Sequence, residues 1–269
     1  MARPRKYTLD ENYFDTINSS NKAYILGFIY ADGSVSERGN LTICLSKKDI
    51  EILEFIKKEL NYSGTISTKL INKNEYSLLN IVSKAMIIKL TELGIIPNKT
   101  YNSSRLPIVP KEYFNDMLRG YFDGDGSIYG DLNKGYTVCF SSNETVLNIL
   151  KNYFTILDIK TSNIRRRNKN SEYSAMVEIR GNNQIIKLKD LLYNKENIFY
   201  LKRKYNKFLE FEDYILNMTK RNHSFETISE IKNLYLKGVS QKDIHLKLAI
   251  PHSSVRNIVQ RLRKLKEII

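Results

Sequence analysis

Ile25-Leu26-Gly27-Phe28-Ile29-Tyr30-Ala31-Asp32-Gly33-Ser34 and Leu118-Arg119-Gly120-Tyr121-Phe122-Asp123-Gly124-Asp125-Gly126-Ser127 share one pattern, and their pairing organises the chain. Each is a mostly apolar run that ends in a carboxylate, a glycine and a serine, and Asp32 and Asp125 stand 93 residues apart. Gly27 and Ala31 lie four apart, as do Gly120 and Gly124, so each pair occupies one side of a helix. Small residues at that spacing let two helix backbones approach closely. Gly33 and Gly126 are expected as helix C-caps that take positive φ. The carboxylates then fall at helix C-termini, where partial negative charge disfavours an anion. A divalent cation would remove the conflict. Two carboxylates beside free carbonyl oxygens form an oxygen-ligand set suited to Mg²⁺ or a similar hard ion.

The chain has 269 residues, 42% of them hydrophobic, which is enough for one large or two modest cores. Its 43 basic residues against 29 acidic leave a formal charge of +14, which points to a polyanionic partner, with nucleic acid ahead of an anionic membrane. Two cysteines and three histidines are too few for a disulfide framework or a zinc finger. Met1-Ala2-Arg3-Pro4-Arg5-Lys6 carries charge with no apolar segment of signal-peptide type behind it, and the longest apolar run, Ala23 to Ala31, is too short to span a bilayer. A soluble intracellular protein, cytoplasmic or organellar, is expected. The ends, Met1 and Glu267-Ile268-Ile269, lack the nucleophile and terminal Asn of protein splicing, which argues against an intein.

Outward from the first motif, Met1 to Asn21 is a basic, polar lead-in with Tyr13, Phe14 and Ile17 expected in the core. After Gly33 the apolar residues alternate at Leu41, Ile43 and Leu45, the signature of a half-buried strand. A helix over Asp49 to Leu60, a strand pair from Gly64 to Val82 turning near Asn72 to Asn74, and a helix from Lys84 to Leu93 ended by Gly94 complete a first unit. The second half repeats the order. Leu41-Thr42-Ile43-Cys44-Leu45-Ser46 returns as Tyr136-Thr137-Val138-Cys139-Phe140-Ser141, and Ile87-Ile88-Lys89-Leu90 as Ile185-Ile186-Lys187-Leu188. Lys99 falls opposite Lys202, with Tyr101 to Pro110 as a linker. The fold class is therefore α+β, a duplicated αββαββα unit with two antiparallel sheets, plus a small all-α C-terminal domain. The expected domains are 1–100, 101–219 and 220–269.

Each sheet should present a polar face. In the first half it carries Asn40, Thr42, Cys44, Ser46, Tyr76 and Asn80; in the second, Thr137, Cys139, Ser141, Arg165, Arg167, Lys169, Glu178 and Arg180. Arg and Asn suit purine edges, and Lys and Arg neutralise phosphates. From His223 onward the pattern is helical: Thr227 to Lys237 closed by Gly238, a second helix capped by Ser240, a turn at Ala249-Ile250-Pro251, and a third helix capped by Ser253 or Ser254. Ile231, Leu234, Ile244, Leu248, Val255 and Ile258 supply a core. Lys220 to Ile269 holds 11 basic and 4 acidic residues, which favours a DNA-binding helix-turn-helix module with His252, Ser253, Ser254 and Arg256 near its last helix's start.

The two motifs resemble the paired signature of the LAGLIDADG homing endonucleases in their single-chain, two-motif form, over roughly Tyr7 to Glu212. Ser240 to Arg263 separately resembles the helix-turn-helix modules carried by some of these proteins. The resemblance implies a pseudo-twofold monomer whose two four-stranded sheets form a saddle on a long, specific double-stranded DNA target. It implies that Asp32 and Asp125 hold Mg²⁺ or another divalent metal against the two scissile phosphates, so that both strands are hydrolysed in intron-homing fashion. Lys99 and Lys202 take the place of late basic residues that stabilise developing charge, with Arg203 and Lys204 competing for the second position. The first motif departs from the pattern at Tyr30, where the second keeps Asp123; that position serves structure more than metal in the family.

An EF-hand reading of Asp123, Asp125 and Ser127 fails, because its sixth loop position would be Ile128 and its twelfth Lys134. Two other functions use the same fold: a non-cleaving transcription regulator with a C-terminal helix-turn-helix, which typically lacks the motif carboxylates, and an RNA-splicing maturase.

Overall fold

A computed structural model describes residues 6–131, 135–167, 173–222, 225–265 and 267–268. The first half runs α1 (Ser20–Asp32), β1 (Gly33–Ser36), β2 (Asn40–Ser46), α2 (Ile50–Glu59), β3 (Ser67–Ile71), β4 (Asn74–Val82), α3 (Lys84–Glu92) and a short α4 (Lys99–Asn102). The second repeats it as α5 (Phe114–Asp125), β5 (Gly126–Asp131), β6 (Gly135–Ser142), α6 (Glu144–Ile156), β7 (Arg165–Arg166), β8 (Ala175–Arg180), α7 (Asn182–Tyr193) and α8 (Lys202–Asn222). The strands form two antiparallel four-stranded sheets, ordered β1-β2-β4-β3 and β5-β6-β8-β7. The duplicated architecture read from the sequence is the one found.

Helix α1 starts at Ser19, whose hydroxyl accepts from Lys22 N at 3.3 Å. Every residue from Ala23 to Tyr30 is buried, and so is every residue from Asp116 to Asp123 of α5. A helix enclosed on all sides needs no amphipathic stripe, which is why α1 reads as a continuous apolar run from Ala23 to Ala31, whereas α5 also buries Asp116, Arg119 and Asp123. The two helices pack on each other without side chains at the crossing. A Cβ on Gly27 would lie 1.9 Å from the Met117 carbonyl oxygen, and one on Gly120 would lie 1.9 Å from that of Tyr24. Behind the seam, Asp116 accepts from Ser20 Oγ (2.6 Å) and pairs with Arg119 (2.8 Å) and Lys195 (2.6 Å).

In the first sheet Thr42 faces Asn80 and Cys44 faces Leu78 across β2 and β4, while Leu41, Ile43, Leu79 and Ile81 are buried on the other side. The β3–β4 hairpin turns through Asn72 and Lys73, both at positive φ, as a tight two-residue connection requires. Tyr13, Phe14 and Ile17 are buried as expected.

By internal contacts the chain forms two compact units, Met1–Phe208 and Leu209–Ile269, and the division falls within α8. The second unit contains α9 (Phe225–Leu236), α10 (Gln241–Leu248) and α11 (His252–Lys264), packed around Ile231, Leu234, Ile244, Val255, Ile258 and Val259. Ser240 caps α10, accepting from Asp243 N at 3.2 Å. Ser253 and Ser254 do not cap α11. The helix begins one residue earlier, at His252, and Pro251 precedes it with no side-chain cap. Among the described residues no helix is long and apolar enough to cross a membrane.

Candidate active site and nucleic-acid interface

Helices α1 and α5 end in Asp32 and Asp125, side by side: a Cβ on Gly124 would lie 2.2 Å from Ala31 Cβ and 3.4 Å from Asp32 Oδ2. No hydrogen bond from another described residue reaches either carboxylate. Desolvation by the packed helix ends raises the Asp32 carboxyl above its usual range, against the pull of Lys204 and Lys99. The same desolvation, together with the charge of Asp32, raises Asp125 to about 6. Both aspartates are exposed and stand side by side with no hydrogen-bond donor among the described residues, and two such carboxylates fit a divalent ion.

The carbonyl oxygens do not fit the expected ligand set. Lys204 Nζ donates to the carbonyls of Phe122 (2.7 Å), Gly124 (2.9 Å) and Gly126 (2.6 Å), and Lys99 Nζ donates to that of Gly33. The lysines therefore take carbonyls on both sides of the helix–strand junctions: Gly33 and Gly126 open β1 and β5, Gly124 lies in the last turn of α5, and the Phe122 carbonyl also accepts from the Gly126 N–H. Burial lowers both ammonium groups, Lys204 to about 8, while the nearby aspartates oppose the fall. Nor do Gly33 and Gly126 take positive φ; both are extended, at −79° and −81°. Their lack of a side chain is steric: a Cβ would strike Ile29 O at 2.7 Å and the Phe122 ring at 2.2 Å, respectively.

Lys202 is not at this site. Its side chain is 76% exposed and pairs with Glu51 at the surface, whereas Lys204 takes the place equivalent to Lys99. The helical stripe of α8 could have decided among the three basic residues. Leu201, Lys204, Phe208 and Phe211 are all buried, at the three- and four-residue steps of one helix face, and Lys202 and Arg203 lie off it. Arg203 instead clamps Asp49 with two bonds, 2.6 and 2.8 Å.

The remaining asymmetry also has a structural cause. Asp123 Oδ2 accepts from Tyr24 Oη and from Leu201 N, both at 2.7 Å, and thereby holds the entry to α8. Tyr30, at the same motif position, donates to the Arg105 carbonyl at 3.0 Å and bonds Ser103 Oγ at 2.8 Å, holding the linker. A cavity of about 190 Å³ opens beside Asp125, lined by Tyr30, Lys99, Ser141, Asn143 and Tyr173; the sequence pattern did not signal Tyr173.

On the sheet faces, Asn40, Thr42, Cys44, Ser46, Tyr76 and Asn80 are exposed or half-buried, as are Thr137, Ser141, Arg165, Arg167 and Arg180. Cys139 and Glu178 share the second face but are buried, contrary to the expected accessible surface. Tyr129 Oη donates to Glu178 Oε1 at 2.8 Å, and Arg165 and Arg180 pair with Oε2, which closes the carboxylate off from solvent. Burial pushes the Cys139 thiol up, away from thiolate character. Lys169 lies outside the described residues. In the second unit, His252, Ser253 and Arg256 are exposed and Ser254 is half-buried.

Among curated proteins, the DNA-directed RNA polymerase subunit Rpo1C of Methanocaldococcus jannaschii is 29% identical over 143 residues. The match spans 51% of this chain but only 16% of that protein. Among solved structures, the LAGLIDADG homing endonuclease I-GzeII in complex with its DNA target is similar over 76% of this chain and 93% of its own, at 15% identity and a TM-score of 0.51, a likeness of fold. Full-length DUF199/WhiA from Thermatoga maritima covers 96% of both chains at 17% identity and a TM-score of 0.43. The family model of the LAGLIDADG-like domain matches residues 19–95 and 112–198, the two halves described above, and the chain belongs to that family.

Proposed function

We propose that the protein is a metal-dependent, site-specific endonuclease that cleaves both strands of a long DNA target as a monomer. The observation that carries this reading is the meeting of Asp32 and Asp125 at the ends of two close-packed helices, each end backed by a buried or half-buried lysine. Asp32 and Asp125, which accept no hydrogen bond from another described residue, would hold the divalent ions, which would supply Lewis-acid polarisation of the phosphate and of the attacking water. Lys99 and Lys204 would place positive charge beside the reacting phosphates, where the transition state gains negative charge. Water adds at phosphorus, the bond to O3′ breaks, and the strand is left with a 5′ phosphate and a 3′ hydroxyl. The sheet faces, with Asn80, Arg165, Arg167 and Arg180, would meet base edges, and α11, with His252, Ser253, Ser254 and Arg256, adds a second DNA contact.

The test incubates the protein with a duplex library and Mg²⁺, beside Asp32→Asn and Asp125→Asn. Each substitution is expected to abolish double-strand cleavage while binding in Ca²⁺ stays near that of the wild type. A wild-type protein that binds one sequence tightly and never cuts it is a regulator instead. Truncation after Met218 is expected to weaken binding and flatten its salt dependence, because phosphate contacts release counterions.

A further inference from the structure

The exposed faces of the two sheets differ in a way that the duplicated fold does not demand. Strands β1 to β4 contain no arginine, and the middle of their exposed face is Thr42, Cys44, Leu78, Asn80 and Val82. Thr42 Oγ1 donates to Asn80 Oδ1 at 3.0 Å, which orients the amide and leaves its Nδ2 without a bond to any described residue. Val82 is 59% exposed. The second face carries three arginines. Arg165 and Arg180 are 55% and 62% exposed, yet both are tethered by the buried carboxylate of Glu178, and Arg167 donates to Ser141 Oγ at 2.8 Å.

A guanidinium held along one edge gives up less rotamer freedom on binding, and its other edge still offers paired N–H groups. In the major groove such a fork matches O6 and N7 of guanine, whereas an Asn amide matches N6 and N7 of adenine, and apolar side chains meet the thymine methyl. Resting on the DNA-facing role proposed above, we infer that the target is compositionally asymmetric. The half-site against the second sheet carries guanines opposite Arg165, Arg167 and Arg180, and the half-site against the first sheet is A·T-rich. Glu178 is a positioning residue that aims two of the arginines.

The experiment selects bound duplexes from a randomised library with the full chain in Ca²⁺ and sequences them, for the wild type and for Arg165→Ala, Arg180→Ala, Glu178→Gln and Asn80→Ala. Guanine preference is expected in one half only. Each arginine substitution should relax one guanine position by on the order of ten- to a hundredfold. Glu178→Gln should weaken the Arg165 and Arg180 preferences together without changing the salt slope of binding, a signature that a merely structural loss would not give. Asn80→Ala should relax an adenine in the other half. A bound site of equal composition in both halves overturns the inference, as do arginine variants that lose affinity for all sequences alike. If such a site is nevertheless cut in Mg²⁺, the endonuclease reading survives that failure; if no sequence is enriched at all, both fall.

Discussion

In the first half, Lys99 donates to a single carbonyl, that of Gly33, whereas in the second Lys204 donates to three. The two halves diverge in the same direction behind the seam. Asp116 and Arg119 form a buried ion pair in α5, where the equivalent positions of α1 are Ala23 and Leu26. At the sixth motif position, Asp123 holds a backbone N–H in one half and Tyr30 holds a carbonyl in the other. Duplication therefore preserved the helix crossing and the terminal aspartates but let the polar supports differ. The second half carries more of the buried charge, and its loss should be felt more strongly.

The largest effect belongs to the helix crossing, which the halves share without change. Gly27→Ala and Gly120→Ala each place a methyl about 1.9 Å from a backbone oxygen of the opposing helix, which no rotamer can relieve. Each is expected to cost at least about 3 kcal/mol, through forced separation of α1 and α5. Thermal melts followed by circular dichroism should show equal losses for the two. Unequal losses would mean that the crossing is not as symmetric as its contacts.

Next comes the buried pair. Asp116→Asn removes the charge that satisfies Arg119 and is expected to cost roughly 3 kcal/mol at pH 7. Burial alone would raise the Asp116 carboxyl, but the bonds from Lys195, Ser20 and Arg119 more than offset it and hold it below the ordinary 3.8. For an acid with a depressed folded pKa, the stabilisation is complete above the unfolded value and fades as pH falls through the lower folded one. The wild type should therefore lose stability below about pH 4 in a phase that Asp116→Asn lacks. If the variant melts with the same acid limb, Asp116 is not the group responsible.

Lys204→Met removes three bonds to carbonyls, of which only that of Phe122 keeps the Gly126 N–H as a known partner, and should cost roughly 2–4 kcal/mol, against about 1 kcal/mol for Lys99→Met, with strand cleavage impaired in both. This pair also marks the limit of what the chain's letters convey. The repeat, the sheets and the two aspartates were legible because each is written twice and carries its own period. The second lysine was not, because three basic residues in a row look alike until the phase of α8 selects the one on its buried stripe. Glu178 and Cys139 were misread for a related reason: alternation along a strand assigns a face but cannot say that arginines from the neighbouring positions will fold over it. Gly33 and Gly126 looked like positive-φ caps, since a glycine after a helix usually is one, and only the packing of Ile29 and Phe122 shows that bulk is what is excluded.

The smallest expected effect tests whether Tyr30 is a true counterpart of Asp123. In Tyr30→Phe, the Arg105 carbonyl keeps its bond from Ser103 Oγ at 3.0 Å, and Ser103 remains tied to Asn143 through its own carbonyl at 2.9 Å. Only one hydroxyl is lost from a network that stays connected, so a cost of about 1 kcal/mol is expected. Asp123→Asn, by contrast, asks an amide to satisfy both the Tyr24 hydroxyl and the Leu201 N–H inside a fully packed site, and also removes a charge facing Lys204. It should cost at least twice as much in the same melts. If the two variants lose equal stability, the linker depends on Tyr30 as heavily as α8 depends on Asp123, and the halves are more nearly equivalent than their hydrogen bonds indicate.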